Sequence, residues 1–379
     1  MPVLDKHIIR TSDRIQFKKC RRAWDIGSKI RQDLEPIKPR IPLEFGTQIH
    51  AGLEAFYDPA LWGSHSHKER HALARVAFNK EWIKQYKIHE NSGVLNAELQ
   101  DEYNHHYELG LGMIDNYVNW SITNDRGLTP VYTEVEFEVP IIVPEGFRYG
   151  YISNFDWSSE GRFLTFKGAP VFYQGRIDLI VRDDKGRYWL VDHKTAGRLE
   201  EDTSFLILDE QMKSYAWAVE HMLGIKVAGV LYNELYKGIA APPAELKTIR
   251  KGCRYSTSKS QDTDFETMLA TVKKYDRAAF TAGYYDHYLT YLKEEGRTFI
   301  RRTPITYTSE MLQILGDQIA DEAVDMLNSP SVYPNPNRFG CRWCDHRAMC
   351  HAMNDGQDVE WMKTTIYNKR TKSKVTNGT

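Results

Sequence analysis

The chain has no surplus of positive charge: 50 Lys and Arg stand against 51 Asp and Glu, a formal charge of −1 over 379 residues. That balance excludes a protein drawn to nucleic acid by its global field, so any such affinity must come from local patches. Four basic groups qualify, Lys18-Lys19 with Arg21-Arg22, Lys247–Arg254, Arg301-Arg302 and Lys369–Lys374, although each alone also reads as a solvated face. No apolar run reaches the roughly 18 residues of a membrane span, and the opening Met1-Pro2-Val3-Leu4-Asp5-Lys6-His7 lacks the apolar core of a secretion signal. A cytoplasmic protein is therefore expected, and its five cysteines are not expected to pair as disulfides. A Gly-x4-Gly-Lys-Ser/Thr loop is also missing, which excludes a motor of that type. No internal repeat is evident.

What is present is an ordinary soluble composition, 41% hydrophobic and 27% charged, with 22 Tyr and 9 Trp that suit either base stacking or a large core. The most informative stretch is Gly175–Thr195. Two β-branched runs, Ile177–Val181 and Tyr188–Val191, flank Asp183-Asp184-Lys185-Gly186, a strong hairpin signal. Each run carries a carboxylate where the apolar pattern calls for burial, Asp178 and Asp192. Lys194 follows two residues after Asp192, so strand alternation puts both on one face. Two acids and a lysine on one sheet describe a hard-cation site with a charged helper; taken singly, they also fit a structural ion pair at a sheet end.

Gly175-x-x-Asp178, a hairpin, then Asp192-x-Lys194-Thr195 resembles the core of the PD-(D/E)XK nucleases, specifically the RecB-type branch. That branch adds a His on an upstream helix and a Gln-x-x-x-Tyr helix after the lysine. Both have counterparts here in the right order. Glu44–Tyr57 reads as a helix with Ile49, Leu53 and Phe56 at i, i+4, i+7. Its Gly46-x-x-x-His50 matches the family's His helix, where a lone histidine would otherwise read as a satisfied boundary residue. A helix from about Ser204 to Leu223 carries Phe205, Leu208, Met212, Ala216 and Val219 as its expected buried face. Gln211 and Tyr215 project from one side of it. The opening Thr11–Trp24, a capped helix containing Cys20-x-Arg22, also looks like the family's entry.

Three cysteines fall within ten residues, Cys341, Cys344 and Cys350, after a Pro-rich approach; this is a strong metal signal. Cys20 is the candidate fourth ligand, while Cys253, in a presumed loop, reads as a free thiol. Four thiolates fit tetrahedral zinc or an iron–sulfur cluster, and His346 or His351 is an alternative to Cys20 in a zinc site. One early Cys with a late Cys-x2-Cys-x5-Cys resembles the 4Fe-4S clasp of AddB-type and CRISPR-adaptation nucleases, and that resemblance favours 4Fe-4S over zinc.

The resemblance implies an α/β fold: a PD-(D/E)XK restriction-endonuclease-like core with a mixed central sheet, an inserted helical lobe and a C-terminal iron–sulfur clasp. The corresponding divisions are a clasp segment and His-bearing helix (1–57), a helical lobe (58–128), the nuclease core (129–235), a loop insert and helices (236–328), the cysteine region (329–363) and a basic disordered tail (364–379). Val131–Val143 reads as a strand whose Glu134, Glu136 and Glu138 face solvent, the alternative being that one of them faces the metal site. By the resemblance, His50, Asp178, Asp192 and the backbone carbonyl of His193 would hold Mg²⁺ or Mn²⁺. Lys194 would orient the nucleophile or neutralise developing charge, and Gln211 and Tyr215 would position the strand. The expected activity is a DNA nuclease, an exonuclease acting on single strands or free ends in recombination, repair or replication-linked processing, with a helicase or recombination partner. The rival readings are a non-cleaving DNA-binding module of the same fold and a zinc-stabilised scaffold.

Overall fold

The hairpin read from Gly175–Thr195 lies in the middle of the sheet. The computed structural model describes residues 6–37, 40–144, 155–157, 162–250, 252–296, 298–329 and 331–370. The chain begins with β1 (His7–Arg10), α1 (Thr11–Lys19), α2 (Arg21–Gly27) and β2 (Leu34–Pro36). The helices α3 (Ile41–Phe56), α4 (Pro59–Trp62), α5 (His67–Asn91) and α6 (Ala97–Asn124) follow. Then come the strands β3 (Thr129–Pro140), β4 (Phe155–Trp157), β5 (Leu164–Phe166), β6 (Ala169–Arg182) and β7 (Tyr188–Ala196). A 3-10 turn at Thr203–Leu208 leads to α7 (Glu210–Leu223) and β8 (Val227–Tyr236). A satellite lobe is built from β9 (Glu245–Arg250), β10 (Cys253–Tyr255), α8 (Phe265–Tyr275), α9 (Arg277–Thr281) and α10 (Asp286–Glu294). The remainder is β11 (Ile300–Ile305), α11 (Ser309–Asn328), α12 (Arg338–Arg342), α13 (Arg347–Asn354), α14 (Met362–Thr365) and β12 (Tyr367–Lys369).

Eight strands form one mixed sheet in the order β11-β8-β7-β6-β5-β4, with β1 and β3 also on β6. The β6–β7 pair is antiparallel and β7–β8 parallel, joined by the α7 crossover. Gly186, at φ +79°, closes the hairpin turn in a conformation that a side chain disfavours, and Asp183 accepts the Lys185 and Arg187 N–H groups. On one face α7 and α11 pack Met212, Trp217, Leu315 and Ile319 against the sheet. On the other, α3, α5 and α6 contribute Ile49, Phe78, Ile114 and Tyr117. The helices α5 and α6 thus buttress the sheet through α3. Among the described residues no helix is long and apolar enough to cross a membrane.

The strand β6 is longer than its partners, and this opens a fork. It pairs with β7 only from Leu179 to Arg182, while Val171–Gln174 pairs with β1. Between these two ladders the edge of β6 is met by side chains. Gly175 lies there because the ring of Phe137, its partner on the antiparallel strand β3, covers it: an added Cβ would sit 2.5 Å from that ring.

Several expectations fail for identifiable reasons. The opening helix breaks at Cys20, whose backbone is extended at φ −165°, ψ 111°. The helix expected from Ser204 begins at Glu210, with Asp209 as its N-cap. That interruption resets the register, so Phe205 and Leu208 are exposed and Leu206 is buried instead. Cys253 lies in β10 inside the satellite core rather than in a loop, and it is in no disulfide. The tail does not become irregular at 364: α14 and β12 continue it, β12 pairs with β2, and Arg370 bridges Asp33 and Glu35. Residues 371–379 of the expected tail, and residues 145–154 and 158–161, lie outside the described residues.

Candidate active site

The fork collects the candidate residues. Because Asp178 lies just beyond the β6–β7 ladder, its Oδ2 accepts the His193 N–H at 2.8 Å where a strand carbonyl would otherwise sit. The helix α3 buries Phe45, Ile49, Leu53 and Phe56, and this sets its rotation. His50, one step off that stripe, then points into the fork with Nδ1 3.4 Å from Asp178 Oδ1.

The third arm is Glu134, one of three glutamates expected in solvent with the metal site as the alternative for one of them. Thr133 pairs with Leu179 and Val135 with Ile177, so Glu134 stands level with Asp178 on the neighbouring strand. Its backbone is in the left-handed region (φ +48°), and Arg176 holds its carboxylate at 2.7 Å. Ligand atoms of His50, Glu134 and Asp178 lie within 4.8 Å of one another, the one such group among the described residues. The space bounded by these three residues and His193 is about 10 Å³, the size of one water or ion. Only the β3–β6 register distinguishes Glu134 from Glu136 and Glu138, and that pairing is not written in β3 itself.

Asp192, 3% exposed, is turned toward Lys194, which reaches its Oδ1 at 3.0 Å and its Oδ2 at 2.9 Å. Oδ2 makes no aligned hydrogen bond and so keeps a buried lone pair available to a cation. Asp192 is therefore beside the three-residue group rather than part of it. The His193 imidazole is buried between Tyr57 and Tyr117, with Nδ1 3.3 Å from Asn233 Nδ2. On α7, Gln211 Nε2 donates to the Tyr215 hydroxyl at 2.8 Å.

The charges follow from burial and neighbours. Burial alone would raise Asp178, but His50, through its charge and a hydrogen bond, and Lys194 hold it well below the usual carboxylate range. Burial raises Asp192, only partly offset by Lys194. Burial pushes Glu134 up to about 7, with Arg176 opposing and Asp178 adding to the rise. Burial also pulls His193 down to about 3, which keeps the imidazole neutral. The Lys194 ammonium is disfavoured by burial but is carried above its ordinary range by Asp192 and Asp178.

These shifts set the pH dependence of cation binding. A cation held at the fork would compete with protons for Glu134 and Asp192, so affinity should fall as pH drops through about 7. Calorimetric Mn²⁺ titrations at pH 8 and pH 6 should show weaker binding at pH 6, with proton release on binding. A pH-independent affinity would remove these carboxylates from the site.

The cysteines are gathered at a second place. Cys20, Cys341, Cys344 and Cys350 line one cavity of about 400 Å³, and none is in a disulfide. Three of the sulfurs face donors: Asn335 N–H to Cys20 at 3.4 Å, Asn337 N–H to Cys341 at 3.4 Å, and Arg22 Nη1 to Cys350 at 3.5 Å. The sulfurs do not form a group within 4.8 Å of one another. His346 and His351 border the same cavity. Apart from any bound group, Ile26, Leu34, Met349, Met362 and Tyr367 pack the two ends of the chain together.

Comparison with known proteins bears on this arrangement. No curated protein matches the chain. Among solved structures it is similar to one described as the crystal structure of SSO0001, at 14% identity and a TM-score of 0.28, over 66% of this chain and 78% of that one. The family model of the PD-(D/E)XK nuclease superfamily matches residues 12–351, a span that contains every residue placed above in the fork, on α7 and around the cysteine cavity. The chain belongs to the PD-(D/E)XK nuclease superfamily.

Proposed function

We propose that this protein is a metal-dependent DNA exonuclease that hydrolyses phosphodiester bonds at single strands or free ends, in recombination, repair or replication-linked processing. The observation that supports it most is the meeting of His50, Glu134 and Asp178 ligand atoms within 4.8 Å beside the Asp192–Lys194 pair. His50, Asp178, Asp192 and the His193 carbonyl would hold Mg²⁺ or Mn²⁺, with Glu134 as an added carboxylate. A histidine among the ligands favours Mn²⁺. When bound, the metal supplies Lewis-acid polarisation of the phosphodiester and acidifies water. Lys194, kept protonated by Asp192 and Asp178, places a fixed positive charge where negative charge grows on the phosphate. Gln211 fixes the Tyr215 hydroxyl, and together they position the strand.

The four cysteines would hold a 4Fe-4S cluster with a structural role. A cavity shared by the four cysteines supports a common bound group there, and the resemblance of one early Cys with a late Cys-x2-Cys-x5-Cys to the family's clasp favours the cluster over zinc. Because the chain ends also meet through an apolar core, loss of the cluster should loosen the clasp rather than unfold the sheet.

The test is digestion of linear DNA with Mn²⁺, with Mg²⁺ and with excess EDTA, alongside iron, sulfide and zinc analysis of wild type and Cys341→Ser. The expected result is cation-dependent release of nucleotides, and iron with sulfide that the variant loses. DNA left intact under all conditions would overturn the nuclease reading. Stoichiometric zinc without sulfide would replace the cluster.

A further inference from the structure

Two clefts adjoin each other, and the first borders the fork at Gly175 and Arg176. The first, about 400 Å³, starts at Gln211 and Tyr215 and runs past Arg176 and Gln174 to Arg10 and Lys29. The second, about 420 Å³, shares Arg10, Ser12 and Lys29 with it and continues past Lys19 and Arg40 to Trp343 beside the cysteines. Together they are lined by six basic and three acidic side chains, in a chain whose overall charges balance. Arg10 is paired with Asp13 at 3.9 Å, Arg40 with Asp345, Arg176 with Glu134 and Arg370 with Asp33, whereas Lys19 and Lys29 are exposed without an ion pair among the described residues. At the far end Trp343 is 79% exposed, with the Arg342 guanidinium over its ring at 5.3 Å. Phe339, four residues earlier, is 81% exposed.

A large aromatic left in water beside free cations at the end of a cleft is the composition of a stacking platform. Clefts of this volume take nucleotide-sized groups rather than the face of a duplex. We infer that the two clefts form one track for a single DNA strand. Lys19, Lys29 and Arg10 take successive phosphates, Trp343 stacks a base, and the strand is fed between this platform and Gln211–Tyr215. The inference rests on the nuclease reading for its ligand but makes its own demand on binding.

The experiment is fluorescence anisotropy of 5′-labelled (dT)20 with the full-length protein and no added divalent cation, the oligonucleotide being checked intact on a gel. Trp343→Ala should weaken binding about tenfold, the worth of one stacked base. Lys19→Ala with Lys29→Ala should reduce the slope of log affinity against log salt by about 1.4, from about 0.7 per single-strand phosphate contact. Trp361→Ala, an exposed tryptophan outside both clefts, should bind as wild type does. Unchanged binding in both track variants overturns the inference. So does failure of the wild type to bind (dT)20, or equal affinity for a blunt duplex with the same Trp343 dependence. Groove-dependent binding in a protein that cleaves nothing with Mn²⁺ would uphold the track and reject the nuclease reading.

Discussion

Lys194→Ala is expected to lower phosphodiester cleavage on the order of 10²–10³-fold while Mn²⁺ still binds, because a preorganised charge at the reacting phosphate is worth about that much. The geometry separates the two effects. Lys194 is not among the three residues whose ligand atoms converge; it lies against Asp192 at 3.0 Å and 2.9 Å. Its removal strips a counter-charge from Asp178 and Asp192, which should leave cation affinity equal or higher. Single-turnover cleavage and calorimetric Mn²⁺ binding on the same preparation read the two quantities. Cleavage within a few-fold of wild type would remove Lys194 from the chemistry, and loss of Mn²⁺ binding would make it a structural support instead.

Arg302→Ala should cost about 3–5 kcal/mol of stability, because it strands a buried carboxylate. From β11 the guanidinium donates to Asp125 Oδ1 at 2.8 Å, to the Asn124 carbonyl at 3.0 Å and to Asn233 Oδ1 at 2.8 Å. Its side chain is 13% exposed and that of Asp125 6%. The same carboxylate accepts from the Tyr57 hydroxyl, and Asn233 and Tyr57 both touch His193. The network therefore ties the sheet edge to the strand that carries Asp192 and Lys194. Arg302→Lys should rescue little, since a single ammonium cannot serve three partners held in a fork. Urea unfolding at unchanged m-value is the measurement; a loss below about 1 kcal/mol would mean that water replaces the guanidinium.

The parts of the fold that could be read from sequence are those encoded locally. The hairpin and α3 announce themselves through periodicity and turn chemistry within single segments. Asp178 and Asp192 stood out as acids in apolar runs, and His50 and Gln211–Tyr215 only through the resemblance to the family's His helix and Gln-x-x-x-Tyr helix. What escaped depended on pairing between distant segments. Glu134 differs from its glutamate neighbours only through its register with Asp178. The strand β11 was missed because Arg301-Arg302-Thr303-Pro304 resembles a polar loop, yet it is a sheet edge where proline is tolerated and Glu234 neutralises Arg301. The strand β12 is held by β2 and by ion pairs from Arg370 to residues more than 300 positions earlier, which no local pattern reveals.

The most direct test is Mn²⁺-dependent digestion of end-labelled single-stranded DNA by wild type beside Asp192→Ala, with folding of both verified by thermal melting. The account predicts a ladder of shortened products from the wild type, absent without Mn²⁺, and an intact substrate with the variant. Equal digestion by both proteins would contradict it, since the chemistry would then lie outside the fork.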